Sequence, residues 1–248
     1  MGPTNKKQAR HEAYMYRLLT EILDDKYLAI NSFFKGGTCA RMLGYLDRFS
    51  VDLDFDVKKE ADKKRFRSKL YSIFKNLDFE IKDESKKVLQ FFLKYPALPK
   101  TRNTIKLELL DNICRANKYE PKYLLPIDRT AMCQTIDTMF AHKLVALADR
   151  YERHGSIAGR DVYDIHYFFL QSYDYNSEII IERRRTSVLD YFKKLRQFVD
   201  DNVTRKILDE DLNVLLDYDK FKRINKYLKK ETLNFIDAEI ERLKNKKI

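Results

Sequence analysis

The chain has 248 residues, of which 44% are hydrophobic and 35% are charged, and its formal net charge is +11 at pH 7. This composition is typical of a folded, soluble protein and predicts one or two domains with a sizeable core. No apolar run approaches the roughly 20 residues that cross a bilayer, the polar N-terminus lacks an apolar signal core, and the three cysteines lack metal-ligand spacing, so we expect a cytoplasmic protein without a membrane span.

Helices and strands alternate in the predicted elements of the first 135 residues. Amphipathic helices at spacings near 3.6 are expected over residues 5–25 and 59–75. A strand over residues 28–34 leads into Gly36 and Gly37, and a short helix is expected over residues 38–46. Further strands are predicted at residues 51–57, 79–81, 88–93 and 104–110.

After residue 130 the strand signals fade. Helices are expected over residues 137–153, 160–172, 186–203 and 211–247, the last of them broken. The predicted fold is therefore α+β (α/β), with a sheet domain over residues 1–135 and a mainly helical domain over residues 136–248.

Basic charge is concentrated in the predicted sheet domain. Residues 1–135 hold 27 Lys and Arg against 18 Asp and Glu, a charge of +9, whereas residues 136–248 hold 22 against 20, a charge of +2. A basic surface favours polyanionic partners such as nucleic acid. A solubilising surface explains the same excess almost equally well.

One predicted strand carries three aspartates at alternate positions. Successive side chains on a strand point to opposite faces, so Asp52, Asp54 and Asp56 share one face. Asp is depleted in strands, and three like charges along one face repel one another. A divalent cation relieves that repulsion, since Mg²⁺ prefers carboxylate oxygens. The alternative is a half-buried strand whose solvated face is acidic.

A Gly-Gly-Thr turn precedes this strand. Gly36 and Gly37 allow backbone angles closed to other residues. Thr38 is expected to cap the helix that follows, whose free N–H groups suit a phosphate. A phosphate cradle followed closely by a carboxylate strand favours metal-dependent chemistry on a nucleoside triphosphate.

These segments together resemble the AbiEii/AbiGii toxin family of the nucleotidyltransferase superfamily. The signature is Gly-Gly-Thr at residues 36–38, a short helix, and then Arg-Phe-Ser-x-Asp-Leu-Asp-Phe-Asp at residues 48–56. Residues 142–150, with Lys143, and residues 159–165, with Arg-Asp-x-x-Asp, are similar to two downstream motifs of the family. The resemblance covers about residues 28–170. It implies a nucleotidyltransferase-like mixed sheet flanked by helices.

The resemblance also implies a function. The expected enzyme transfers a nucleoside monophosphate from an NTP to an RNA acceptor, tRNA first among them, with Mg²⁺ or Mn²⁺ as cofactor. It acts as the toxin of a type IV toxin–antitoxin or abortive-infection (phage defence) pair, so a cognate antitoxin is an expected partner. Three alternatives stay open: transfer to a protein hydroxyl, a nucleotide- or RNA-binding module without turnover, and a phosphotransferase that moves the γ-phosphate.

Site residues follow from the resemblance and from strand geometry. The expected catalytic residues are Asp52, Asp54, Lys143 and Asp161, and the expected metal ligands are Asp52, Asp54 and Glu108. The residues expected to bind the triphosphate are Gly36, Gly37, Thr38, Ser50, Lys143 and Arg150.

Several of these roles have competing interpretations. Glu108 is about as well explained as an exposed strand residue, and Asp56 and Asp111 compete with it for the third metal carboxylate. From spacing alone, Lys143 and Arg150 are ordinary surface charges on one helix face. Asp161 either orients Lys143 or acts as a general base.

The spacer between the turn and the first metal carboxylate is slightly long for the superfamily. Counted from Gly36-Gly37, fourteen residues precede Asp52, and counted from Gly37-Thr38 there are thirteen. We prefer the second count, and it leaves the identity of the phosphate-contacting residues open.

Overall fold

The structure, a computed structural model, describes residues 6–97 and 102–245. Residue 5 of the predicted first helix and residues 246 and 247 of the predicted last helix lie outside this range. The chain forms two compact units. The first comprises Met1–Ile113 and Lys118–Thr135, and the second comprises Cys114–Asn117 and Ile136–Ile248.

A mixed seven-stranded sheet is the centre of the first unit. Its order is β3-β4-β5-β2-β1-β7-β6. The β1–β7 and β2–β5 pairs are parallel, and the other four pairs are antiparallel. The strands are β1 Ser32–Lys35, β2 Asp52–Val57, β3 Glu80–Glu84, β4 Leu89–Lys94, β5 Thr104–Leu110, β6 Tyr119–Leu124 and β7 Arg129–Gln134.

Helices of the first unit pack on the apolar face of this sheet. Alternation along β2 and β5 turns Leu53, Phe55 and Leu107 inward, where each is fully buried. Amphipathic spacing in α1 buries Leu18 and Ile22 in the same unit. The helices are α1 Lys6–Asp24, α2 Lys26–Asn31, α3 Gly36–Met42 and α4 Lys63–Asn76, with a 3₁₀ turn at Leu125–Ile127.

In the second unit, all regular secondary structure of the described residues is helical. Fully buried side chains such as Phe140, Ile165 and Phe192 form its core. None of the described helices of the chain has the length and apolarity needed to cross a membrane. The helices are α5 Ile136–His154, α6 Gly159–Leu170, α7 Ser177–Arg184, α8 Val188–Asn202, α9 Arg205–Leu212, α10 Tyr218–Ile224 and α11 Leu228–Asn245.

The predicted fold class is confirmed, with corrections to individual elements. Residues 28–31, predicted as strand, are helical, because the Asp25 side chain accepts hydrogen bonds from the N–H groups of Tyr27 and Leu28 and so caps α2. The predicted strands missed β6 and β7, and the predicted helices missed α7 and α9. Thr38 does not cap a helix, since α3 begins at Gly36 and Lys35 occupies the cap position.

Candidate active site on the sheet of the first unit

A row of four polar side chains crosses four neighbouring strands. Strand register places Lys35 beside Asp54, Asp54 beside Glu108, and Glu108 beside Gln90. Residues that pair across strands share a face of the sheet. Their face is the one opposite to the buried Leu53 and Phe55, so the polar side chains of β1, β2, β4 and β5 gather on one surface.

Two carboxylates of this surface have no hydrogen-bond donor. The side chains of Asp52 and Asp54 form no hydrogen bond or ion pair with any described residue, although both are half-buried. Burial and the neighbouring charge of Asp52 raise the pKa of Asp54 to about 6. The charges of Lys35 and Lys106 act in the opposite direction but only partly offset this rise.

Asp56, two residues along the same strand, is fully engaged. Lys35 Nζ donates to its Oδ1 at 2.6 Å. Tyr119 Oη and Gln134 Nε2 donate to its Oδ2 at 2.7 and 2.8 Å. Because this buried carboxylate already accepts three hydrogen bonds, it is a weaker candidate for the third metal ligand than the sequence indicated.

The other two candidates for the third carboxylate also have cationic neighbours. Glu108 Oε1 accepts from Gln90 Nε2 at 2.6 Å and lies 2.8 Å from Lys106 Nζ. Burial works to raise the pKa of Glu108, but the hydrogen bond and charge of Lys106, the hydrogen bond from Gln90 and the charge of Lys35 together hold that pKa below its usual range. Asp111, beyond the end of β5, is paired with Lys63 at 2.5 Å. Of the two, only Glu108 is beside Asp54 in the sheet.

The oxygen atoms of this surface suit a divalent cation that has few protein ligands. Among residues 6–97 and 102–245 no three His, Cys, Asp or Glu side chains form a group that could hold a metal ion. Mg²⁺ is usually held by one or two carboxylates together with substrate phosphates and water. The pair Asp52 and Asp54 meets that requirement, and a cation would neutralise the charge of Asp54 that Lys35 and Lys106 offset only in part.

The Gly-Gly turn lies against this carboxylate pair. Gly36 has φ +78, and a Cβ at this position would overlap Asp54 Oδ2. A Cβ on Gly37 would lie 2.9 Å from Ser50 Oγ and 3.2 Å from the guanidinium of Arg48. Glycine suits position 36 because of the left-handed backbone and the close approach to the Asp54 carboxylate. It suits position 37 because of the close contact with Ser50.

Thr38 and Ser50 connect the start of α3 to the start of β2. Thr38 Oγ1 lies 3.0 Å from Ser50 Oγ and 2.5 Å from the backbone oxygen of Asp52. Both side chains are buried. The hydroxyl of Thr38 thus fixes the backbone of Asp52, and its own hydrogen bonds make it a positioning group more than a ligand of phosphate.

The predicted downstream residues form an ion-pair cluster within the second unit. Lys143 of α5 donates to Asp161 Oδ1 at 2.9 Å and contacts Asp164 Oδ2 at 2.8 Å, and both aspartates are buried on α6. Burial works to raise the pKa of Asp161, but the charge and hydrogen bond of Lys143 outweigh it, so this pKa lies below its usual value.

Arg150 belongs to the same cluster. It is seven residues after Lys143, two helical turns along one face of α5, as the spacing predicts. Its Nε lies 3.5 Å from Asp161 Oδ2, and neither of these buried atoms has a hydrogen-bond partner among the described residues. The cluster therefore retains a donor and an acceptor that a bound group or water can satisfy.

Some residues that shape the carboxylate surface were missed from sequence. Tyr119 and Gln134, the donors to Asp56, lie on β6 and β7, which the sequence pattern did not reveal. Lys106 was detectable, since alternation in β5 places it on the same face as Glu108.

Comparison with known proteins identifies the family. Residues 17–234 match the family described as nucleotidyl transferase AbiEii toxin, type IV TA system. The chain belongs to the AbiEii nucleotidyltransferase toxin family. No curated protein matches the sequence significantly.

Two solved structures of Helicobacter pylori proteins share the fold of this chain, and a third structure is similar to a lesser degree. The crystal structure of JHP933 from Helicobacter pylori has a TM-score of 0.60 and 23% identity, covering 99% of this chain and 97% of that chain. That of a candidate nucleotidyltransferase from H. pylori has a TM-score of 0.61 and 22% identity, covering 98% of each chain. MenT4, a nucleotidyltransferase toxin of Mycobacterium tuberculosis, has a TM-score of 0.46 and 20% identity, covering 97% of this chain and 93% of that chain.

Membership of the AbiEii family confirms the predicted enzyme class. The protein is a nucleotidyltransferase of the toxin type, and its donor substrate is an NTP. The type IV toxin–antitoxin family also implies a cognate antitoxin.

Proposed function

We propose that the protein transfers a nucleoside monophosphate from an NTP to an RNA acceptor, with tRNA as the first candidate, in a reaction that depends on Mg²⁺ or Mn²⁺. In the cell this activity would inhibit growth as the toxin of a phage-defence pair. The observation that carries the proposal is the pair of donor-free carboxylates, Asp52 and Asp54, beside Gly36.

The residues of the first unit have distinct roles in this proposal. Asp52 and Asp54 hold the cation, and Glu108 joins them if it releases Lys106. The backbone N–H groups of Gly36 and Gly37 bind the triphosphate. Ser50 contacts a phosphate oxygen, while Thr38 keeps Asp52 in place. When bound, the divalent cation neutralises charge that develops on the attacking and leaving oxygens.

We also assign roles in the reaction to the cluster of the second unit. An effective general base has a pKa near the working pH. Asp161, with its lowered pKa and its hydrogen bond to Lys143, does not meet that requirement. Its proposed role is to orient Lys143, whose ammonium stabilises phosphate charge, and Arg150 extends the cationic stripe.

The charge distribution supports an RNA acceptor. The excess of +9 within residues 1–135 persists although that segment contains the Asp-rich strand. Long-range attraction of this kind concentrates polyanions near a site.

The direct test is label transfer. The protein is incubated with Mg²⁺, total tRNA and each α-³²P-labelled NTP in turn, beside Asp54→Asn and the matched surface control Asp83→Asn, which removes an exposed charge from edge strand β3. We expect label on RNA with the parent and with Asp83→Asn, and its loss with Asp54→Asn or EDTA.

Other outcomes contradict specific parts of the proposal. Label on the protein itself or on added protein points to a hydroxyl acceptor on protein. Label from a γ-labelled NTP identifies a phosphotransferase. Bound NTP without transfer to any acceptor favours a module without turnover, and full activity in EDTA overturns the metal site.

A further inference from the structure

A short segment of the second unit exposes tyrosines and cations together. Its members are Tyr218, Lys222, Arg223, Lys226 and Tyr227, here called the basic tyrosine patch. Tyr218 is 73% exposed and Tyr227 is 57% exposed. No described residue forms a hydrogen bond, ion pair or ring contact with any member through its side chain.

The backbone that carries the patch is anchored from its other side. Lys220 Nζ lies 5.6 Å from the ring centre of Tyr163 and 5.8 Å from that of Tyr167, both on α6. Asn225 Nδ2 donates a hydrogen bond to Asp209 Oδ1 of α9. At about 100° per residue, Lys222 and Arg223 project away from the side of α10 that carries Phe221 and Ile224.

Stability of the fold does not explain this composition. Cations in the last turn of α10 interact favourably with the helix dipole, which accounts for Lys222 and Arg223 in part. It does not account for two tyrosines whose rings face solvent, because an exposed aromatic ring gains no burial from folding. Elsewhere in the same unit, Tyr163 and Tyr191 are almost fully buried.

We propose that the basic tyrosine patch binds a single-stranded segment of the acceptor RNA, by stacking of unpaired bases on Tyr218 and Tyr227 and by contact of the three cations with phosphates. Aromatic rings interleaved with Lys and Arg are the usual platform for single-stranded nucleic acid. The inference rests on the proposed function, since it concerns how the acceptor of that reaction is held.

The patch favours RNA over a protein partner because of its charges. Lys222, Arg223 and Lys226 form no ion pair with any described residue, and they outnumber the two exposed acids of the segment, Asp217 and Asp219, which suits a row of phosphates. Stacking requires bases that are not already paired, so single-stranded RNA is expected to bind more tightly than a duplex of the same sequence.

The test measures RNA affinity without turnover. Fluorescence anisotropy is recorded for a single-stranded RNA of about 12 nucleotides, its duplex, and total tRNA, in the absence of NTP. The variants are Tyr218→Ala/Tyr227→Ala, the conservative Tyr218→Phe/Tyr227→Phe, and Lys222→Ala/Arg223→Ala/Lys226→Ala. A charge-matched control replaces Lys193, Lys194 and Lys206, all exposed in the same unit, by Ala.

The expected pattern separates stacking from charge. The Ala pair weakens single-stranded RNA binding about tenfold or more, because each stacked base contributes substantially, and the Phe pair stays within about threefold since it retains both rings. The triple-Ala variant reduces the slope of log affinity against log salt concentration by about two, since each lost phosphate contact of a single strand contributes roughly 0.7. The control triple changes affinity less than the patch triple.

Three results would overturn the inference: parental RNA affinity in the Ala pair, an equal loss in the control triple, or unchanged RNA affinity with loss of antitoxin binding, which would assign the patch to a protein interface. Failure of the proposed function has a different signature. In that case the unaltered protein transfers no label from α-³²P NTP to RNA, whatever the patch variants bind.

Discussion

The two clusters of aspartates in this toxin are built on opposite electrostatic principles. On β2, the side chains of Asp52 and Asp54 accept no hydrogen bond from residues 6–97 or 102–245, and the pKa of Asp54 rises to about 6. On α6, Asp161 and Asp164 enclose Lys143, and the pKa of Asp161 falls. An acid whose oxygens accept no hydrogen bond is available to a ligand, whereas an acid in a close ion pair fixes the position of its partner.

The contrast exists even within one strand. Asp54 and Asp56 are on the same face of β2, but Lys35, Tyr119 and Gln134 all donate to Asp56. Position on a strand therefore does not distinguish a candidate metal ligand from a structural carboxylate. The hydrogen-bond donors around each carboxylate distinguish them.

Replacing Asp54 by Asn is expected to have the largest effect. Transfer activity should fall about 10³-fold, the scale on which a single preorganised electrostatic group acts. Stability at pH 8 should instead rise, on the order of 1–3 kcal/mol, because an uncompensated charge is removed. Label transfer and urea unfolding measure the two effects.

Asp56→Asn is the matched comparison and should lower stability, since Lys35 loses its partner. Equal stability changes for the two variants would contradict the assignment.

Removing Lys143 should cost stability in addition to any loss of transfer activity. Lys143→Ala leaves two buried carboxylates without their shared cation, and we expect a loss of about 3 kcal/mol. Adding Asp164→Asn in the same chain should recover part of it, which a double-mutant cycle measured by urea unfolding detects. Strict additivity would show that the cluster does not act as a unit.

A comparison of two glycines tests the close approach to Asp54. Gly36 and Gly44 have φ +78 and +75, but a Cβ on Gly44 meets nothing within 4 Å. Both Ala variants should lose about 1 kcal/mol from the left-handed backbone. Gly36→Ala should in addition lose most transfer activity, because its methyl group displaces the Asp54 carboxylate. Equal activity of the two variants would contradict this.

The pH dependence tests Asp54 without any substitution. In the unfolded chain Asp54 titrates near 3.8, and in the fold near 6, so between these values only the folded state binds the proton. The free energy of unfolding therefore falls as pH rises through this window, and the destabilisation is complete above pH 6. Cation affinity should change in the opposite sense, weakening about tenfold per pH unit below 6. Isothermal titration with Mn²⁺ tests this, and Asp54→Asn should remove the dependence.

Strong alternation and ordered motifs made part of the molecule predictable. The prediction for residues 104–110 matches β5, because Ile105, Leu107 and Leu109 alternate with polar residues. The seven-residue spacing of Lys143 and Arg150 placed them on one helix face, and the family resemblance connected them to Asp161.

Other features depend on contacts that are distant in sequence. β6 contains Pro121 and two charged residues, so it has little strand character, and pairing with β7 is what makes it a strand. The role of Asp56 is set by Tyr119 and Gln134, far along the chain, and no local pattern contains that information. The short apolar run at residues 28–31 is compatible with a strand or a helix. The hydrogen bonds that the Asp25 side chain accepts at the start of α2 stabilise the helix.

The order of strands in the sheet has a consequence for the synthesis of a toxic protein. Asp54 and Glu108 become neighbours only when β2 and β5 pair in parallel. The parallel pair of β1 and β7 likewise joins distant segments, with Phe34 beside Cys133. Pairings between such distant segments form slowly. A chain still emerging from the ribosome, or one released early, therefore lacks the assembled carboxylate surface on which the proposed reaction depends. The producing cell is exposed to the toxin only after nearly all of the first unit has been translated.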